Sequence, residues 1–259
     1  MHSKSSSILL HKSFTVQQKV RWISLLIRTW RNNSVSKLAA AILKKTSEDH
    51  PVIIDIGANV GLFTKAFMKA PKTPQRIIAI EPSFYVFSIL LNITANMPSV
   101  RCRKVALSHK TATVDLKTPL KKSGSLRVGL SHIGNANNQK VFVETVEAKR
   151  LDDVLADEKV DQVDIVKLDV EGAEEQVIAG APNLFYNMRP IWFVELVQER
   201  TDNFSGSAEK IFLNFIAADY EAFVLNSDYE WDRVNELNEH TDYLFVPTVS
   251  KTETVVTQI

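Results

Sequence analysis

Five short apolar runs, all beyond residue 50, constrain this chain more than any other feature. They are Pro51-Val-Ile-Ile-Asp-Ile56, Arg76-Ile-Ile-Ala-Ile-Glu81, Val100 to Leu107, Val163-Asp-Ile-Val-Lys-Leu-Asp169 and Pro190-Ile-Trp-Phe-Val-Glu195. Near-continuous apolar character over so few residues reads as a strand buried on both faces. Helical segments intervene, at Val60 to Ala70, Ser83 to Met97, Leu151 to Ala156, Ala173 to Ala179 and Ala208 to Ala218. Strands alternating with helices predict a parallel sheet covered on both faces. Two alternating segments, Thr111 to Lys117 and Lys140 to Glu147, read as an antiparallel excursion around a polar loop. Tyr220 to Leu225 and Tyr243 to Val246 read as a closing antiparallel pair.

In such a sheet the ligand sits beyond the carboxyl ends of the strands, where strand order reverses. The chain has only 8 glycines in 259 residues, and two of them fall in the turn Asp55-Ile-Gly57-Ala-Asn59-Val-Gly61. Gly57 suits a tight turn, and Gly61 suits close helix packing. The spacing is neither the dinucleotide fingerprint Gly-x-Gly-x-x-Gly nor a phosphate loop. Asp55 disfavours a pyrophosphate and suits an ammonium, whereas the helix-start amides favour a carboxylate. Glu81 ends the second strand, where a carboxylate can take both hydroxyls of a ribose. A ligand with an amine, a carboxylate and a free ribose is described, and S-adenosylmethionine meets that description. The competing structural reading is an ordinary βα turn with a capping Asp and a surface Glu.

The segments Val52 to Thr64, Ile80-Glu-Pro-Ser83, Val105-Ala-Leu-Ser108 and Ile165-Val-Lys-Leu-Asp-Val-Glu-Gly-Ala-Glu174 together resemble the FkbM-type S-adenosylmethionine-dependent methyltransferases. The resemblance runs from about Pro51 to Pro247 and leaves out residues 1–49 and the loop around 118–140. It implies a Rossmann-like, seven-stranded α/β methyltransferase sheet and O-methylation as the usual activity. It further implies that Asp55, Gly57, Ala58, Asn59 and Gly61 border the amino-acid part of the cofactor. Glu81, with Pro82 beside it, would hold the ribose, and Ala106 and Leu107 would lie against the adenine.

Methyl transfer to an alcohol needs alignment and a place for the acceptor proton. Lys167-Leu-Asp169-Val-Glu171-Gly-Ala-Glu174 gathers three carboxylates at one strand end. Asp169 is the candidate facing cofactor or acceptor, and Glu171 the candidate for acceptor binding or proton removal. Glu174 reads as a cap for the following helix, and Lys167 as a partner for one of these acids. Glu195 is a further catalytic candidate, balanced against a structural pairing with Arg189 or Arg200. His132, in a Gly- and Asn-rich loop, is a candidate base, with a solvated loop histidine as the plainer reading. No metal is required by the spacing of these residues.

Residues 1–49 carry nine Lys and Arg, with Glu48 and Asp49 their only acids. Val16, Val20, Ile23, Ile27 and Trp30 recur at helical spacing, so a helix near 15–31 is expected, and a second from Val35 to Lys45 with Ser34 as its N-cap. A basic amphipathic helix can lie on a membrane. The preferred expectation is a cap packed on the main domain, with Trp22 or Trp30 on the face that packing buries. The chain therefore divides into a basic helical extension (1–49), a methyltransferase domain (50–248) and a tail (249–259). With 31 basic and 30 acidic residues there is no global charge favouring nucleic acid, and none is expected as partner. The acceptor class is a small molecule or glycan. Methylation of nucleic acid or protein, and a non-catalytic binding module, are the alternatives. Cys102 is the lone cysteine, so no internal disulfide forms, and a cytoplasmic location is expected.

Overall fold

The structure is a computed structural model that describes residues 15–119, 132–133, 141–198 and 207–248. Helices α1 (Val16–Arg31) and α2 (Ser36–Leu43) precede an alternating run. That run is β1 (Val52–Ile56), α3 (Leu62–Met68), β2 (Arg76–Ile80), α4 (Phe84–Ile93) and β3 (Val100–Arg103). After β4 (Ala106–Leu107), β5 (Ala112–Pro119), β6 (His132–Ile133) and β7 (Val141–Lys149), alternation resumes with α5 (Leu151–Asp157), β8 (Ile165–Leu168), α6 (Glu174–Ala179) and β9 (Ile191–Glu195). The last described elements are α7 (Ala208–Ala217), β10 (Tyr220–Leu225), β11 (Trp231–Val234) and β12 (Asp242–Pro247).

The main sheet has the order β11-β10-β12-β9-β8-β1-β2-β3. The five strands from β9 to β3 pair in parallel, and β12, β10 and β11 are antiparallel. The sheet thus has eight strands where seven were expected, because Trp231–Val234 folds back along the outer edge of β10. The expected third strand also divides. Val100–Arg103 stays in the main sheet, whereas Ala106–Leu107 joins a second sheet ordered β4-β7-β5-β6. The antiparallel excursion is the β5–β7 ladder of that second sheet.

Strand alternation sends side chains to two cores. Ile54, Ile56, Val166, Leu168, Trp192 and Val194 face one layer, where α5 and α7 cover them. Ile53, Ile77, Ile165 and Phe193 face the other, covered by α2, α3 and part of α4. In the first layer Phe185, carried on a π-helical turn (Leu184–Met188), packs on Trp192, Phe215 and Tyr220. Phe215 and Phe245 stack with centroids 3.9 Å apart.

The N-terminal helices depart from expectation in one respect. Helix α2 starts without a side-chain cap, and Val35 rather than Ser34 precedes it. Helix α1 does pack on the domain, through the stripe that holds Trp22 rather than the one that holds Trp30. Trp22, Leu25 and Thr29 are buried, whereas Val16, Val20, Ile23, Ile27 and Trp30 are exposed. Trp22 Nε1 donates to Ser88 Oγ of α4 at 2.7 Å, and Tyr85 Oη donates to the Gln18 carbonyl at 2.8 Å. Lys65, buried in α3, donates to the carbonyls of Thr29 (2.6 Å), Trp30 (3.1 Å) and Asn32 at the end of α1. A cation there satisfies carbonyls that the helix itself leaves unpaired and complements the negative end of its dipole. A periodicity cannot distinguish two apolar stripes on one helix; the partner surface selects between them.

Two substitutions separate these stripes. Trp22→Ala should lower the unfolding free energy by ~3 kcal/mol, the usual scale for a buried tryptophan. Trp30→Ala, at an exposed position, should stay within about 0.5 kcal/mol of the parent in the same urea titration.

Candidate active site

β1 is the strand at which chain order reverses: the chain passes from β1 to β2 on one side and returns to β8 on the other. A cleft of about 720 Å³, counting its open mouth, lies beyond the carboxyl ends of these strands. That is the position the topology dictates for a ligand. Its walls are Ile56, Gly57 and Asn59 after β1, Ile80, Glu81 and Pro82 after β2, and Asp169, Val170 and Glu171 after β8. Val86 and Ala173 close one part, and Val105, Ala106, Leu107 and Leu116 form an apolar wall from the second sheet.

The turn after β1 is shaped by backbone conformations that few residues tolerate. Gly57 has φ 68°, and a Cβ there would stand 1.8 Å from the Asp169 carbonyl oxygen. No side chain fits without moving the β8 loop. Asn59 also has positive φ, 51°, which asparagine accepts better than most residues. Its N–H points at Glu81 and donates to Oε2 at 3.1 Å, and its own Oδ1 accepts from Val60 N at 2.8 Å. Glu81 Oε1 accepts from Ser83 N at 2.9 Å. Both oxygens of Glu81 are therefore oriented by backbone amides at the cleft wall. Burial pushes the Glu81 carboxyl up to about 7, against those two amides and Lys167, which favour its ionised form.

Lys167 lies beneath the turn and is almost wholly buried. Its Nζ donates to the carbonyls of Ile56 (3.3 Å) and Gly57 (3.0 Å) and stands 3.2 Å from Asp169 Oδ2 and 3.8 Å from Asp55 Oδ1. Burial alone would depress its ammonium; Asp169 and Asp55 outweigh that and hold it above the ordinary lysine value. Asp55 faces Lys167 in register on the neighbouring strand. Thr64 Oγ1 donates to Asp55 Oδ2 at 2.5 Å. Burial raises the Asp55 carboxyl, with Lys167 opposing.

The expected site residues fall into three groups. Gly57, Asn59, Glu81, Pro82, Ala106, Leu107, Asp169 and Glu171 converge on the cleft. Asp55, Ala58 and Gly61, expected beside the ligand, are not among the residues that line it. Asp55 is fully buried under the turn, and Ala58 turns its N–H to the Ile80 carbonyl at 2.9 Å. Gly61 packs on α4, where a Cβ would meet Leu90 at 2.9 Å. Glu195 also stands outside the walls. It lies opposite Asp242 on β12 and is near enough to Lys167 to help raise it. Arg189, its suggested partner, instead donates to the carbonyls of Ala218 and Asp219, and Arg200 is outside the described residues. The backbone of His132 pairs with Lys117 on the edge of the second sheet; its side chain and most of its loop are outside the described residues.

Two further carboxylates hold the loops around the cleft. Glu174 Oε1 accepts from Val170 N and Gly172 N, both at 3.1 Å, and so curls the β8 loop that presents Glu171 with φ 59°. Glu144 on β7 carries no sequence signal that marks it as part of the site. It accepts from Phe84 N and Ser83 Oγ, both at 3.0 Å, and ties the second sheet to the start of α4 beside Glu81. The inward alternation of Ala112, Val114 and Leu116 was the signal that could have placed Leu116 on the wall.

The walls carry three carboxylates and, among the described residues, neither Lys nor Arg. That set disfavours a diphosphate. It fits a cationic ligand with a free ribose diol, so the residues present fit S-adenosylmethionine.

A family model described as Methyltransferase FkbM domain matches residues 55–230. The chain is 29% identical over 184 residues to the methyltransferase sdnD of Sordaria araneosa, covering 57% of this chain and 71% of that protein. It is 26% identical over 189 residues to the 2-O-methyltransferase NoeI of Sinorhizobium fredii, covering 69% of this chain and 76% of that protein. A crystal structure of methyltransferase FkbM from Methylobacillus flagellatus KT shares the fold, with a TM-score of 0.50 at 16% identity. The match covers 76% of this chain and spans under half (44%) of that one. With its cleft at the switch point and its family match over most of the sheet, the chain belongs to the FkbM methyltransferase family, whose methyl donor is S-adenosylmethionine.

Proposed function

We propose that this protein transfers a methyl group from S-adenosylmethionine to a hydroxyl of a sugar, a glycan or another small metabolite. The observation that carries the reading is Glu81: a buried carboxylate at the end of β2, held by two backbone amides at the wall of a cleft that, among the described residues, has no basic side chain. The similarity to NoeI, a 2-O-methyltransferase, supports oxygen as the accepting atom. The single free cysteine, Cys102, accords with action in the reducing cytoplasm.

When bound, S-adenosylmethionine supplies an electrophilic sulfonium methyl. Glu81 accepts hydrogen bonds from the ribose hydroxyls. The apolar wall of Ala106, Leu107 and Leu116 suits the adenine, and Asn59 with the Gly57 turn borders the amino-acid end. Lys167 holds Asp169 in place at the wall. Glu171 orients the acceptor hydroxyl and takes its proton as the oxygen attacks. Asp55 acts through Lys167 and Thr64, as a support for the turn rather than a contact.

Isothermal titration followed by methyl turnover on a panel of glycans and hydroxylated metabolites tests the reading. Binding without turnover on any acceptor would mark a non-catalytic module. Glu81→Ala should weaken cofactor binding about tenfold or more, ~1.4 kcal/mol. Gly57→Ala should do so even more strongly, because its Cβ displaces the Asp169 backbone. Glu171→Gln should leave cofactor affinity near the parent's and depress kcat; an unchanged rate removes its proton-accepting role.

The position of the Glu81 titration gives a further expectation. Ribose hydroxyls are donors and prefer the ionised carboxylate. Cofactor affinity should therefore rise as pH climbs through about 7 and level off above it, and Glu81→Gln should flatten that rise. The unliganded fold carries the opposite sign. A carboxyl raised from 4.5 to about 7 binds more protons folded than unfolded, so its contribution to stability falls as pH rises through that window. Titration calorimetry across pH 6 to 8, roughly centred on that value, reads the first effect.

A further inference from the structure

The exposed stripe of α1 is independent of the cleft, since none of its residues lines the walls. Val16, Val20, Ile23, Ile27 and Trp30 are 77, 64, 47, 48 and 70% exposed. They follow one another at intervals of four and three residues, so they form a single line along a helix ~24 Å long. Five large apolar side chains in one line are not the scattered exposure of an ordinary surface.

Cations flank this line. At 100° per residue, Arg31 and Arg28 fall on one side of the stripe and Lys19 on the other. None of these three is in an ion pair among the described residues, and Arg28 and Arg31 are exposed. Residues 15–47 contain seven Lys and Arg and not one acid. The helix is also fixed in orientation. Trp22, Leu25 and Thr29 are buried on the opposite side, Tyr85 holds its start and Lys65 its end. The stripe cannot rotate inward without breaking those contacts.

We propose that α1 docks this protein on an anionic lipid surface, with the Val16–Trp30 stripe in the headgroup and acyl boundary. The charge pattern selects this occupant. A second copy of the chain would bring the same cations together, whereas an anionic headgroup layer neutralises them. Tryptophan at the end of the stripe suits the interface, where its ring is part apolar and part wet. Among the described residues no helix is long and apolar enough to cross a membrane, so the contact is peripheral. The start of α1 lies beside Tyr85, one residue from Val86 of the cleft wall. Docking through this stripe would hold the methyl-transfer cleft near the lipid surface.

Co-sedimentation of the full chain with vesicles tests the proposal. Phosphatidylcholine vesicles containing about one third phosphatidylglycerol should bind it, and pure phosphatidylcholine vesicles should bind it at least about tenfold less, with salt weakening the anionic interaction. The double variant Ile23→Glu with Ile27→Glu should lose about tenfold or more of that binding. These positions are exposed, so its thermal unfolding and cofactor affinity should match the parent's. Equal binding of parent and variant, or no binding of the parent, overturns the proposal. So does a concentration-dependent dimer that the double variant abolishes, which would assign the stripe to a second copy.

Discussion

A buried ammonium governs the geometry of the cleft. Lys167 reaches from β8 under the turn after β1, bonds the carbonyls of Ile56 and Gly57, and is bracketed by Asp55 and Asp169. The turn after β1 and the loop after β8 meet at this one charge. Removing one member of such a group leaves an uncompensated buried charge, which costs ~3–5 kcal/mol. The same group fixes the β1 turn against the β8 loop, which is why Gly57 has no space for a side chain. Asp55 is thus buried beneath the turn, facing Lys167 and bonded to Thr64.

Three further carboxylates organise the rim. Glu81, Glu174 and Glu144 each accept two hydrogen bonds, and five of those six come from backbone amides of the loops or helix starts around the cleft. Burial raises the carboxyls of Glu81 and Glu174. Glu81 and Glu174 are buried, and taking a carboxylate out of water carries a desolvation cost. Their cost is consistent with a site arranged to receive a positively charged, diol-bearing ligand. The second sheet, attached through Glu144, adds the apolar wall that a bare parallel sheet lacks.

Much of this was legible in the sequence because buried parallel strands announce themselves. Apolar runs ending in Asp55-x-Gly57, Glu81 and Asp169 located the sheet, the switch point and most of the cleft walls. What the sequence could not convey was direction. Asp55 and Glu81 occupy similar positions near strand ends, yet one points into the layer beneath the turn and the other lies on the wall. That difference depends on the facing register of Lys167. The two stripes of α1 are equally periodic, and only the surface of α4 with its Tyr85 and Ser88 decides which is buried. Glu144 was invisible because its partners lie 60 residues away, and Trp231–Val234 because a four-residue edge strand has no apolar pattern of its own.

Diffraction from crystals grown with S-adenosylhomocysteine tests the central assignment most directly. The account predicts the ribose hydroxyls on Glu81, the adenine against Ala106, Leu107 and Leu116, and Asp55 still bonded to Thr64 beneath the turn. Electron density for the ligand at any other place, or in this cleft with Glu81 turned away from the ribose, would contradict it.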